Sequence, residues 1–155
     1  MIVKAEEKDR KVLAGLAGLL WPGHEPRELE EEISRELGRE DGAFFLLWRE
    51  GEAVGFAQCS LRSDYVEGTK SSPVGYLEGI YLKEPFRGRG LGRALTERCE
   101  DWARRRGCSE FASDCGAENT GSLRFHLASG FREAGRIICF VKPLPPREER
   151  ESDAG

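Results

Sequence analysis

The chain has 155 residues, 39% of them hydrophobic and 34% charged, a balance that fits one globular domain long enough to bury a core. No apolar stretch approaches the roughly 20 residues of a membrane span, and Met1-Ile2-Val3 runs straight into Lys4, Glu6, Glu7 and Lys8 rather than into a signal peptide, so a cytoplasmic protein away from membranes is expected. The net charge of −4 argues against nucleic acid as a partner and suits a cationic small molecule.

Residues 2–5 read as a first strand, after which Val12, Leu13, Leu16, Leu19 and Leu20 recur at helical spacing until Pro22 and Gly23. Pro26 suits the start of a second helix, with Leu29, Ile33 and Leu37 one turn apart and Gly38 as its C′ stop. Residues 44–49 and 54–62 flank Glu50-Gly51-Glu52 as a hairpin, and residues 63–73 form a polar loop. A strand over 74–82 precedes a helix over 91–106, whose Leu91, Leu95, Cys99 and Trp102 share one face and which Gly107 closes. On its exposed side Glu100 to Arg104 and Asp101 to Arg105 are favourably oriented i,i+4 pairs. Residues 111–114 read as a fifth strand, 119–129 as a fourth helix and 131–141 as a last strand. The order predicts an α/β domain with a mixed sheet over residues 1–144, followed by a disordered charged tail at 145–155.

Five cysteines, Cys59, Cys99, Cys108, Cys115 and Cys139, form no Cys-x-x-Cys pair, and only two histidines accompany them, so no metal site is expected. Reduced thiols serving as small core residues are the simpler reading.

Between the strand at 74–82 and the following helix stands Arg87-Gly88-Arg89-Gly90-Leu91-Gly92. Glycines let a backbone approach a ligand closely, and the first amides of a helix favour an anion, so the segment is suited to hold a pyrophosphate with Arg87, Arg89 and Arg93 nearby. A P-loop would end in Gly-Lys-Ser/Thr, whereas Gly92 is followed by Arg93 and Ala94, and a dinucleotide fingerprint would lie after the first strand rather than deep in the chain. The remaining alternative for the motif alone is a surface loop that holds nothing.

The motif resembles the Arg/Gln-x-x-Gly-x-Gly/Ala acetyl-CoA signature of the GNAT N-acetyltransferases. Leu20-Trp21-Pro22, Ser72-Pro73-Val74-Gly75-Tyr76-Leu77-Glu78-Gly79-Ile80-Tyr81, Glu110-Phe111-Ala112-Ser113-Asp114, Asn119, and His126 followed by Gly130-Phe131 are similar to the aminoglycoside 6′-N-acetyltransferase branch. The resemblance implies a mixed, mostly antiparallel sheet of about six strands flanked by about four helices. It also implies acetyl-CoA as co-substrate, an aminoglycoside as acceptor, direct attack in a ternary complex, and a homodimer.

Carried onto this sequence, the resemblance makes Ile80, Tyr81 and Leu82 the backbone partners of the pantetheine arm, with an amide there facing the thioester oxygen. It makes Arg87, Gly88, Arg89, Gly90, Leu91, Gly92, Arg93 and Ala94 the pyrophosphate cradle. Asn119 fits both a coenzyme contact and a helix N-cap. Glu78 is a lone charge in an apolar strand; strand alternation puts it on the face of Ile80, and the functional reading is that it binds the cationic acceptor and takes its proton, the alternative being a solvent-facing edge. Asp114 becomes a second carboxylate for ammonium groups or a plain turn residue. Trp21, His24 and Tyr65 resemble positions on the acceptor side, Trp21 being equally suited to cover the core. His126 is the candidate acid for the leaving thiolate. Many relatives have Thr-Glu where this chain has Ala134-Gly135, so one expected carboxylate is missing. The alternatives are a GNAT enzyme acting on another amine, such as a polyamine or a protein amino group, and a coenzyme A-binding module without turnover.

Overall fold

A computed structural model describes residues 1–148. Strand β1 (Ile2–Lys4) leads through a 3₁₀ turn into helices α1 (Arg10–Leu20) and α2 (Pro26–Leu37). The hairpin β2 (Gly42–Arg49) and β3 (Glu52–Arg62), strand β4 (Val74–Leu82), helix α3 (Leu91–Arg105), strand β5 (Phe111–Ser113) and helix α4 (Thr120–Ala128) follow. The strands form one sheet in the order β1-β2-β3-β4-β5, antiparallel throughout except for the parallel pair of β4 with β5.

Period-two alternation in β2 divides the core between the two faces of the sheet. Phe45 and Leu47 point one way, against Leu95, Cys99 and Trp102 of α3. Phe44 and Leu46 point the other way, with Phe56 of β3, against Leu13, Leu16 and Ala17 of α1 and Leu29 and Ile33 of α2. Fully burying such a side chain is worth about 1.5–3 kcal/mol, so both helical layers are strongly held. Of the cysteines, Cys59, Cys99 and Cys108 are buried in this core, whereas Cys115 is half-buried and Cys139 exposed; all are free thiols. The neighbouring Cys59 and burial push the Cys99 thiol well up, so it stays protonated.

Helix ends follow from local chemistry. Pro26 stands at the start of α2, where a missing N–H costs nothing, and the Glu25 carboxylate accepts from the Glu28 amide. Gly38 stops α2 as expected, in a right-handed conformation at φ −80°. Gly107 closes α3 in the left-handed conformation, at φ +86°. Glu100 lies 3.8 Å from Arg104, but Asp101 also pairs with Arg104 rather than with Arg105.

The expected strand at 131–141 does not form. After Phe131, which packs on Phe111 and His126, residues 132–148 carry no regular structure. Ile138 is 82% exposed and Val141 95% exposed, so the run has strand-like side chains but no strand partner among the described residues. The sheet accordingly has five strands among the described residues rather than about six. Of the expected tail, residues 149–155 lie outside the described residues.

Candidate active site

The site is organised by two interruptions of the sheet. Opposite β3, Gln58 pairs with Gly79 and Cys59 with Leu77, which leaves Glu78 as the extra residue of a β-bulge in β4. Beside it, β5 pairs with β4 only at Gly75, Tyr76 and Leu77, so from Glu78 onward that edge of β4 has no strand beside it among the described residues. The strands therefore part at the bulge.

The bulge also resets the alternation of side chains. Leu77 and Ile80 both pack toward α3, whereas Glu78 reaches Ser60 and Arg62 on the opposite face of β3. Glu78 and Ile80 thus face opposite ways, contrary to the alternation expected from the sequence, because an inserted residue shifts the period-two count by one.

Glu78 is tightly engaged. Its Oε1 accepts from the Ser60 hydroxyl at 2.6 Å and from Arg62 Nε and Nη2 at 3.1 and 3.0 Å, and its Oε2 accepts from Arg62 Nη2 at 2.8 Å. The Arg62 guanidinium lies 3.5 Å above the centre of the Tyr76 ring, and the Tyr76 hydroxyl donates to Asp114. The side-chain contacts with Glu78 push Arg62 further above its already high value, while burial first and Asp114 second push the Tyr76 phenol up. Glu78, Arg62, Tyr76 and Asp114 therefore form one connected set with Arg62 as the single cation. Sequence reasoning found its two carboxylates and missed Arg62, Ser60 and the role of Tyr76, because placing residues 60 and 62 under residue 78 requires the cross-strand register.

Trp21 joins the same face. A Cβ built on Gly79 would stand 2.6 Å from the indole, so glycine there lets the ring lie against β4 next to Glu78, edge-on to Phe56. Trp21 is half-buried, which agrees with its covering the core. His24 lies in the exposed connection between α1 and α2 and is not brought against the other candidates by any hydrogen bond among the described residues. Tyr65 is 77% exposed and lines, with Arg62, Tyr76, Asp114 and Glu67, a cleft of about 680 Å³ that runs along the free side of β5. At Gly135 a Cβ would stand 3.4 Å from a carboxylate oxygen of Glu67, so a glutamate from the 63–73 loop occupies the neighbourhood of the missing carboxylate. That loop is tied down where Glu110 accepts from the Lys70 amide and the Ser71 hydroxyl.

His126 stands at the end of β5. Its Nδ1 is 2.7 Å from the Ser122 carbonyl oxygen, which can only accept, so Nδ1 carries a proton. Its Nε2 is 2.8 Å from the Ser113 hydroxyl, which itself lies 3.1 Å from the Leu77 carbonyl. With a neutral ring the Ser113 hydroxyl donates to Nε2. With a protonated ring, Nε2–H donates to Ser113, which then donates to Leu77. His126 is thus linked through the Ser113 hydroxyl to the backbone of β4 one residue before the bulge.

At the other end of β4 a 3₁₀ turn leads into the glycine segment. Gly88 and Gly90 have φ of +75° and +78°, and a Cβ on either would meet only open space, so their backbones are accessible to a ligand. Gly90 is the N-cap of the 15-residue helix α3. Gly92 differs: a Cβ there would stand 2.8 Å from the Phe125 ring, so its smallness seats α4 against α3. Arg87 Nε donates to the Leu82 carbonyl at 2.8 Å and fastens the turn to β4, and Arg93 lies 3.5 Å from Glu97. Asn119 caps α4 by accepting from the Ser122 amide at 3.1 Å.

A family model for the acetyltransferase (GNAT) family matches residues 11–131. An aminoglycoside N(6′)-acetyltransferase type 1 from Stenotrophomonas maltophilia is 42% identical over 146 residues, covering 94% of each chain. One from Salmonella typhimurium is 43% identical over 129 residues, covering 83% of this chain and 88% of the relative. Among solved structures, aminoglycoside N-acetyltransferase AAC(6′)-Iy in complex with CoA superposes with a TM-score of 0.89 at 38% identity, covering 93% of this chain and 95% of that one. The same enzyme in complex with a bisubstrate analogue, CoA-S-monomethyl-acetylneamine, gives a TM-score of 0.88 at 38% identity over 93% and 98% of the two chains. With the signature glycines at the head of α3 and the parting of β4 from β5 already in place, these matches show that the chain belongs to the GNAT acetyltransferase family, among the aminoglycoside N(6′)-acetyltransferases.

Proposed function

We propose that this protein transfers an acetyl group from acetyl-CoA to the 6′-amine of an aminoglycoside by direct attack in a ternary complex. The observation that carries this reading is the parting of β4 and β5 at the bulged Glu78, with the open glycine turn and the N-terminus of α3 at the far end of the same strand. Acetyl-CoA, when bound, supplies the acyl group as a thioester. The chain's part is to hold, orient and move protons.

The amides of residues 88–94 face a pyrophosphate at the start of α3, with Arg89 and Arg93 adding positive charge. The free backbone edge of Ile80, Tyr81 and Leu82 pairs with the amide-bearing pantetheine arm, and an amide of this stretch faces the thioester oxygen as it gains charge. Asn119 contributes a contact to that arm while it caps α4. On the opposite face Glu78 and Asp114 draw in the cationic acceptor between Trp21 and Tyr65, with His24 at the rim, and Glu78 accepts the proton of the attacking ammonium directly or through water. His126, hydrogen-bonded to Ser113, gives a proton to the departing thiolate.

The acetyltransferase unit spans residues 1–144 and works in the cytoplasm as a homodimer. Its exposed apolar run, Ile137, Ile138, Phe140 and Val141, fits against a second copy, since a strand-like segment without a partner and a three-residue β5 with one open side are complementary. Changing Ile138 and Val141 to lysine should convert a dimer to a monomer in sedimentation; a wild-type monomer would overturn this arrangement.

Turnover of acetyl-CoA with kanamycin or tobramycin, compared with spermidine and peptides, tests the activity, with mass and NMR analysis of the product locating the acetyl group. Faster acetylation of an aminoglycoside at N6′ is expected. Equal or faster turnover of spermidine or peptides would assign the enzyme to another amine.

A further inference from the structure

The bulge that exposes Glu78 also frees it. A residue inserted into a ladder has no cross-strand partner opposite it, so the direction of its side chain is not fixed by the pleat, and a glutamate has three torsions to order. Here those torsions are fixed from β3. The Arg62 fork takes both carboxylate oxygens and Ser60 takes Oε1 a second time. Arg62 is fixed in turn by stacking 3.5 Å over Tyr76, whose ring is held by burial at 5% exposure and whose hydroxyl donates to Asp114. Among these four groups the formal charges are two negative and one positive, which leaves a net charge of −1 to meet one substrate ammonium.

We propose that Arg62 is a positioning residue that clamps Glu78 in the orientation needed to receive the acceptor amine, and that the Tyr76 ring sets the spacing between Glu78 and Asp114 by holding that clamp. Lysine would not substitute. Its point charge cannot hold two oxygens in one plane or stack flat on the ring. The alternative in which Arg62 binds acceptor or coenzyme by itself predicts a loss that does not depend on Glu78.

The inference rests on the activity proposed above, so kcat and KM for tobramycin and acetyl-CoA are measured first in the wild-type protein. Absence of aminoglycoside turnover there overturns both proposals. With turnover established, Arg62→Ala should lower kcat/KM for tobramycin about tenfold or more, with acetyl-CoA KM unchanged, and Arg62→Lys should recover less than half of the loss on a logarithmic scale. In a Glu78→Gln background the same Arg62→Ala change should cost less than about twofold, because its target is gone. Added guanidinium chloride at millimolar concentration should restore part of the activity of Arg62→Ala but none to Glu78→Gln. Equal losses in both backgrounds, or full activity of Arg62→Lys, would overturn the clamp while leaving the transfer reaction in place. Should Arg62→Ala not fold, Arg62→Lys with and without Glu78→Gln gives the same cycle.

Discussion

The two ends of β4 are prepared for ligands in opposite ways. At the proposed acceptor end, side chains carry the organisation: Glu78 takes four hydrogen bonds from Ser60 and Arg62, and Asp114 takes one from Tyr76. At the proposed coenzyme end, backbone carries it: Gly88 and Gly90 sit at positive φ in open space, and the helix behind them supplies the field. In the function proposed above, a cationic acceptor would be met by charges held at fixed positions. In the same proposal, a pyrophosphate would be met by amides that need only be left uncovered.

Breaking the backbone end should give the largest effect. Gly90→Val adds a branched side chain where a ligand would approach and strains a residue at φ +78°. Losing two amide contacts to a charged group is worth about 3 kcal/mol or more, so acetyl-CoA affinity should fall roughly a hundredfold or more in calorimetric titration. The strain alone lowers stability, so the melting temperature is read alongside. Unchanged affinity in a folded Gly90→Val protein would remove the cradle from the assignment.

At the acceptor end, Glu78→Gln should lower kcat/KM for aminoglycoside by about 10- to 1,000-fold with little change in acetyl-CoA affinity, since a neutral amide neither attracts the ammonium nor takes its proton. The amide also turns an NH₂ toward one of the donors that now converge on the carboxylate. The defect should shrink as pH rises and solvent supplies free amine. Wild-type kcat/KM across pH 6 to 9 would leave Glu78 a structural carboxylate.

Asp114→Asn should raise the dissociation constant for aminoglycoside roughly tenfold to a hundredfold, the worth of about 1.5–3 kcal/mol for one charge-assisted hydrogen bond, and spare acetyl-CoA. Equal weakening of both ligands would mean that Asp114 shapes the turn and nothing more.

The backbone end was the more legible of the two in the sequence. A glycine-rich turn between an apolar run and an amphipathic helix is a local pattern, and Gly90 stands at the N-cap of α3 as that pattern requires. Asn119 likewise caps α4. Gly92 showed its limit, because a glycine that admits a neighbouring ring reads the same as one that admits a ligand. The acceptor end depended on register. Nothing local marks Glu78 as an inserted residue, and strict alternation therefore assigned it to the wrong face. Arg62 and Ser60 were invisible as partners for the same reason. The strand expected at 131–141 failed differently: its side chains do favour a strand, but a strand exists only where a neighbouring strand pairs with it, and among the described residues that run has no such neighbour.

Tyr76→Phe should have the smallest effect and separates the two parts of the acceptor network. It keeps the ring under Arg62 and removes only the hydroxyl that donates to Asp114. If the ring holds the clamp and the hydroxyl merely seats Asp114, kcat/KM for aminoglycoside should fall only about two- to tenfold, the worth of one ordinary hydrogen bond, and acetyl-CoA affinity should not move. The pH dependence gives a second reading. Burial raises the Tyr76 phenol above its usual value of 10.0, so the folded protein holds that proton where the unfolded chain releases it. The stability this contributes is complete below about pH 10 and is lost as pH rises toward the folded-state value, so denaturant melts at pH 7 and pH 11 should show wild type losing more stability than Tyr76→Phe. Equal losses in the two proteins would mean that the phenol is not held by its surroundings. A loss of activity as large as that of Glu78→Gln would mean that the hydroxyl, rather than the ring, holds the two carboxylates together.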